Sequence, residues 1–207
     1  GRKGQGVKAD DLLDLLEQKA FSEVQKRNPD LIATEQTAVA TQIAVGALRY
    51  FLLRFTRTSV IAFDFEEALN FDGETGPYIQ YATVRANNIF NKVQEADPDF
   101  SIEDIYNTLE SDRLNDFLSD TSIWELIYAT SRLDEIADQV ISTMEPATLA
   151  KFAFTVAQGF SLFYHKHRIL SEVELDRRLF YLLVVDLSRR SLTRALDLMG
   201  IQVPRRM

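Results

Sequence analysis

Asp72-Gly73-Glu74-Thr75-Gly76-Pro77, running on into Tyr78-Ile79-Gln80-Tyr81-Ala82-Thr83-Val84-Arg85-Ala86-Asn87-Asn88-Ile89-Phe90-Asn91-Lys92-Val93-Gln94, is the stretch on which the fold turns. Its first six residues are the strongest turn signal in the chain. Thr75 is placed to cap a helix, and Pro77 falls in the first turn, where a missing N–H does no harm. At about 100° per residue, Ile79, Ala82, Ala86, Ile89, Phe90 and Val93 fall within an arc of about 100°, a core-facing stripe. Tyr78, Tyr81, Arg85, Asn88 and Lys92 occupy a second arc of about 80°, centred about 110° from the first. The spacing predicts a helix over 76–94 with an apolar face in a core. Two tyrosines, a guanidinium and an ammonium lie beside that face.

On both sides of this helix the chain reads as helix almost throughout. Lys8–Arg27 carries Leu12, Leu13, Leu15, Leu16 and Phe21, with Asp10 and Asp11 near its start, where the helix dipole favours anions. Asn28-Pro29-Asp30 interrupts it, and a second helix is expected from about Thr34, taken as its N-cap, to about Phe55. Ser59–Phe63 is the one short β-leaning stretch. Beyond the turn, further helices are expected near 101–118, 122–143, 146–167 and 172–199, with breaks at Asp97-Pro98, Glu145-Pro146 and Gly200. No fixed-period repeat or low-complexity tract appears. The expected fold class is all-α: a helical bundle over 76–207, preceded over 1–75 by a smaller, mainly helical connecting region.

Composition removes several function classes. The 207 residues are 46% hydrophobic and 26% charged, with 8 glycines and 5 prolines, the balance of a globular protein. There is no cysteine, which excludes disulfide scaffolds, thiolate zinc sites and thiol nucleophiles. The longest apolar run, Leu179–Val185, ends at Asp186 after seven residues, too few to span a membrane. The chain opens on Gly1 with no basic-then-apolar leader, which reads as a piece of a longer protein. The net charge of −8 is unevenly spread. Gln94–Val140 holds thirteen acids against two bases, whereas Lys151–Met207 holds ten bases against five acids. Such asymmetry suits an anionic partner at the basic end, although charge alone is better read as solvated helix faces of arbitrary sign.

Several catalytic patterns fail on their residues. Gly159-Phe160-Ser161-Leu162-Phe163 lacks the second glycine of a nucleophile elbow. Asn70-Phe71-Asp72-Gly73 resembles a calcium loop, but Ala68 and Ile79 stand at its first and last ligand positions. His165 and His167, two apart on a helix, point about 200° apart and cannot chelate one metal. Glu66-Glu67 reads as solvated helix surface. Gly1-Arg2-Lys3-Gly4-Gln5-Gly6 is glycine-rich and basic, without P-loop spacing. What remains is the Tyr78/Tyr81/Arg85 face. Aromatic rings stack on unpaired bases while Arg and Lys meet phosphate, which is how single-stranded RNA is held. Two boundary tyrosines with hydroxyls in water fit the same pattern, as does an aromatic face that docks another protein.

The residues of this region also carry a resemblance. Phe71–Ala82 followed by Arg85 is similar to the segment that opens the anticodon-binding domain of arginyl-tRNA synthetases. Phe163-Tyr164, Ile169-Leu170, Arg178-Leu179, Leu196-Asp197-Leu198-Met199-Gly200-Ile201 and the closing Pro204-Arg205-Arg206-Met207 follow that family's pattern to its terminal methionine. Val45–Tyr50 resembles the helix ahead of the turn. The front, with Gly6–Asp14, resembles the stretch that completes and follows the family's ATP-binding signature loop. Thr83 departs from a usual histidine and Arg205 from a usual glutamate.

The resemblance implies the C-terminal part of a class I enzyme that attaches arginine to its tRNA with ATP and magnesium in the cytoplasm. Residues 1–75 would then end the catalytic body and 76–207 would form the anticodon-binding domain. The parent would be the enzyme; the chain alone, lacking the fold that holds ATP and arginine, is expected to be inactive and to bind no cofactor. Tyr78, Tyr81, Arg85, Tyr164 and Met207 are implied to form the pocket for the middle anticodon base, a cytosine. Arg2 and Lys3 match basic positions near the ATP phosphates. The implied partner is the anticodon loop of arginine tRNA, with no DNA, membrane or metal site, and the acidic stretch 94–140 is expected to face away from the RNA.

Overall fold

The structure is a computed structural model that describes residues 8–108, 114 and 117–207, the side chain of Asp104 excepted. The all-α class is observed: the described residues form nine helices and no strand. Helix α1 (Ala9–Arg27) and helix α2 (Ala33–Leu53) make a hairpin around Leu16, Ala20 and Val24 on one side and Val39, Ala40, Ile43 and Ala44 on the other. Asp10 and Asp11 sit in the first turn of α1 and Lys26 and Arg27 in its last, each matching the local dipole.

Thr34 is not the cap of α2. The N-cap is Ile32, whose side chain offers no hydrogen bond. The loop is fixed instead by buried Gln36, whose Nε2 donates to the Asn28 carbonyl at 3.1 Å. A link back to the preceding helix does the work expected of a local cap.

Ser59–Phe63, the β-leaning stretch, forms no strand. No neighbouring strand among the described residues could satisfy its backbone. Its aromatic end serves packing, with Phe63 edge-on to Phe51 at 4.7 Å and to Phe65 at 5.2 Å. Asp64 then caps the single turn α3 (Phe65–Ala68), its Oδ1 accepting from the N–H groups of Glu66 and Glu67. Glu67 pairs with Arg54, while Glu66 is exposed.

Helix α4 (Gly76–Ala96) begins as its sequence requires, with Thr75 Oγ1 accepting from the Tyr78 N–H at 3.2 Å. Ile79, Ala82, Ala86, Ile89 and Phe90 are buried and Val93 packs against them. A second face is buried as well. Gly76 lies so close to Gly46 of α2 that an added Cβ would fall 2.4 Å from the Gly46 carbonyl oxygen. One turn on, the fully buried Gln80 donates from Nε2 to the carbonyls of Gln42 (3.0 Å) and Gln202 (2.7 Å). Thus α4 is the central helix; the arc that carries Tyr81, Arg85 and Lys92 is left toward solvent, and past Gln80 the side with Asn87, Asn91 and Gln94 opens as well.

Helix α5 (Ile102–Thr108) starts the predicted 101–118 segment, most of whose remainder lies outside the described residues. The predicted helix 122–143 is two helices, α6 (Thr121–Ser131) and α7 (Leu133–Thr143), broken at Arg132. Thr130 and Ser131 donate their hydroxyls to the carbonyls of Ile127 and Tyr128, at 2.7 and 2.8 Å, competing with the helical ladder at the break. Helices α8 (Ala147–Lys166) and α9 (Leu175–Leu198) complete the bundle around Val156, Phe160, Phe180, Leu192 and Leu196. α9 ends on Gly200 at φ +68°, where the Ile201 N–H reaches back to Leu196 at 2.8 Å. The tail then follows α2, with Arg206 bonded to Asp30 at 2.6 Å in the α1–α2 turn.

Candidate nucleic-acid interface

Three of the five residues implied for the base pocket come together. Tyr81 and Arg85 are one turn apart on α4, and Tyr164 arrives from the last turn of α8. The Arg85 guanidinium lies over both rings, 5.0 Å from the Tyr81 centroid and 4.7 Å from that of Tyr164. Such cation–π contacts contribute about 0.5–1 kcal/mol each where exposed, enough to align the cation. Arg85 Nε is buried and makes no hydrogen bond among the described residues. An unbonded buried donor is costly, so this atom is poised for an acceptor.

A groove of about 290 Å³ opens beside this stack, lined by Arg85, Asn88, Lys92, Tyr164 and Leu170, with Glu95 at its edge. Glu95 belongs to the acidic stretch expected to face away, so one acid of that stretch reaches this groove. Leu170 had no place among the site residues read from sequence, although it follows Phe163-Tyr164 closely; only the turn after α8 folds it back.

Tyr78 and Met207 are placed differently. The Tyr78 ring packs on Phe154 at 5.7 Å and against the bundle core. It props the N-terminal end of the tyrosine face. Met207 packs with the α1–α2 cluster, next to the Arg206–Asp30 pair, and is not gathered with Tyr81, Arg85 and Tyr164. Arg2 and Lys3 lie outside the described residues. The two histidines do not share a helix as expected, because His167 follows the end of α8 with an extended backbone: His165 is exposed, while His167 is held by the Tyr181 hydroxyl at 3.1 Å and faces Asp120 at 3.7 Å. Burial lowers the His167 pKa below its ordinary value, opposed by the Asp120 carboxylate. No group of three His, Asp or Glu side chains that could hold a metal forms among the described residues, and none of their helices is long and apolar enough to cross a membrane.

Residues 79–207 match the DALR anticodon binding domain. The chain belongs to that family. Residues 1–65 match the catalytic domain of the class I tRNA synthetases (R). The DALR chain is 34% identical over 209 residues to the arginine–tRNA ligase of Pyrococcus furiosus, a match spanning all of this chain and 32% of that protein. It is 35% identical over 213 residues to the arginine–tRNA ligase of Deinococcus radiodurans, covering 99% of this chain and 33% of that one. Its fold superposes on the Thermus thermophilus arginyl-tRNA synthetase with a TM-score of 0.83 and 25% identity, over 99% of this chain and 33% of the other. The DALR chain thus spans about a third of the length of these relatives.

Proposed function

We propose that this chain reads the anticodon of arginine tRNA as the C-terminal part of an arginine–tRNA ligase. On this reading residues 1–75 end the catalytic body and residues 76–207 are the anticodon domain. The observation that carries the reading is the Tyr81–Arg85–Tyr164 stack with its unbonded Nε. A base splayed from the loop stacks on a tyrosine ring, and cytosine presents acceptors on its Watson–Crick edge to the Arg85 donors. Lys92, at the far end of the groove, is a phosphate contact. Tyr78 holds the start of the face in place, and Met207, seated on the α1–α2 cluster, is given no contact with the base.

Arginine activation with ATP and magnesium belongs to the longer polypeptide. The purified chain is expected to show no arginine-dependent ATP–pyrophosphate exchange; measurable exchange free of contaminating ligase contradicts this division of labour.

The direct test compares arginine tRNA with the same transcript changed only at the middle anticodon base. The changed transcript keeps a base to stack but can leave an Arg85 donor unpaired, and is expected to bind about 1–3 kcal/mol more weakly. Equal binding of the two, or binding insensitive to ionic strength, would assign the tyrosine face to another partner such as a protein.

A further inference from the structure

The geometry points to a second element of the same RNA site: a phosphate-binding strip that wraps the C-terminal half of α4 and carries the strand leaving the Tyr81–Arg85–Tyr164 stack. It rests on the anticodon reading above. At about 100° per residue, Arg85, Asn88, Asn91 and Asn87 follow one another around the helix at intervals of about 40–60°. Asn91 Nδ2 donates to Asn88 Oδ1 at 3.3 Å, which links the two faces they occupy. The groove beside the stack shares Asn91 with a cleft of about 330 Å³ lined by Asn87, Asn91, Arg189 and Arg205. That cleft shares Asn87 and Arg189 with a wider one of about 910 Å³, to which Arg190 and Arg194 contribute.

The strip is built before any ligand arrives. Asp186, which ends the longest apolar run of the sequence, is 1% exposed, and its Oδ1 lies 2.6 Å from Arg189. Arg189 is held from the other side by Phe90, its guanidinium 4.7 Å from the ring centroid. Arg205 makes no ion pair among the described residues, and Arg190 reaches Asp186 only at 3.8 Å. Four arginines against the carboxylates of Asp186 and Asp197 leave the strip cationic. Asparagine amides between them suit ribose and phosphate oxygens. Continuity with a base-stacking site favours a ribose–phosphate chain over an acidic peptide.

The test titrates a labelled anticodon stem-loop RNA with the chain across salt, using Arg190→Gln/Arg205→Gln and, separately, Tyr81→Ala. Both arginines are exposed, so thermal unfolding of the pair variant is expected to match the parent. Each lost phosphate contact flattens the salt slope by about 0.7, so the pair variant is expected to lose about 1.4 of slope and to bind about 25-fold more weakly at ~0.1 M salt. Tyr81→Ala is expected to weaken binding with the slope unchanged. A pair variant with parental slope and affinity overturns the strip, while a weakened Tyr81→Ala in the same experiment leaves the stacking reading standing. No effect of Tyr81→Ala, or no RNA binding by the parent, overturns that reading and the strip with it. Polyglutamate competing as effectively as RNA for the parent would assign the arginines to an acidic peptide and overturn the strip.

Discussion

Helix α4 presents two polar faces that differ in what surrounds them. Toward α2, Gly76, Gln80 and Thr83 are sealed: the backbones touch, and the Gln80 Nε2 donates to two carbonyls from distant parts of the chain, while its Oε1 is shut in without a partner. On the face past the core stripe, the half-buried Tyr81 and Arg85 stack with Tyr164 beside a groove, and a guanidinium nitrogen is left unbonded. A buried polar group whose donor is spent and that has no room around it fixes helices in place. One that keeps an unused donor beside an opening is arranged for something that binds.

The contrast breaks if the closed and open faces respond alike to truncation. The largest expected effect is on the core stripe between them, where Phe90→Ala should cost about 3–5 kcal/mol of unfolding free energy. Gly76→Ala comes next. Its methyl has backbone rather than a movable side chain in its way, so α2 and α4 must separate at about 1–3 kcal/mol or more, read as a drop in thermal midpoint. On the open face, Tyr81→Ala should cost only about 0.5–1 kcal/mol of stability, the scale of its contact with Arg85. A Tyr81→Ala variant that unfolds as readily as Phe90→Ala would make Tyr81 core packing. The smallest effect is a pH dependence. His167 titrates below its unfolded value, so the unfolded chain takes up its proton first as pH falls. Stability should therefore decline as pH drops through about 6.5 toward the lowered value, and His167→Gln should flatten that part of the profile.

The two faces also differ in how far they could be read from sequence. The start of α4, its core stripe and the arc of Tyr81 and Arg85 were legible because a cap, a proline and a 3.6-residue period are local properties. The lock at Gln80 was not, since its partner Gln202 lies 122 residues away and an isolated glutamine looks solvent-facing. Asp186 read as the end of an apolar run, yet it is buried, because Arg189 one turn on supplies its partner. The break at Arg132 has no glycine or proline to mark it. The short apolar stretch Ser59–Phe63 fits a strand as well as a packed loop until its neighbours are known. Tyr164 came through family resemblance alone; only the packing of α8 on α4 shows that it closes on Arg85.

The account stands or falls on whether the open face holds a base. A double-mutant cycle measures this, pairing Tyr81→Ala with removal of the middle anticodon base in an abasic stem-loop, by RNA binding at fixed salt. If the ring and the base stack on each other, losing either costs about 1–3 kcal/mol, and losing both costs little more than losing one, which leaves a coupling energy of that same size. Losses that simply add, with coupling near zero while both single changes leave the protein folded, would show that Tyr81 and the base never meet.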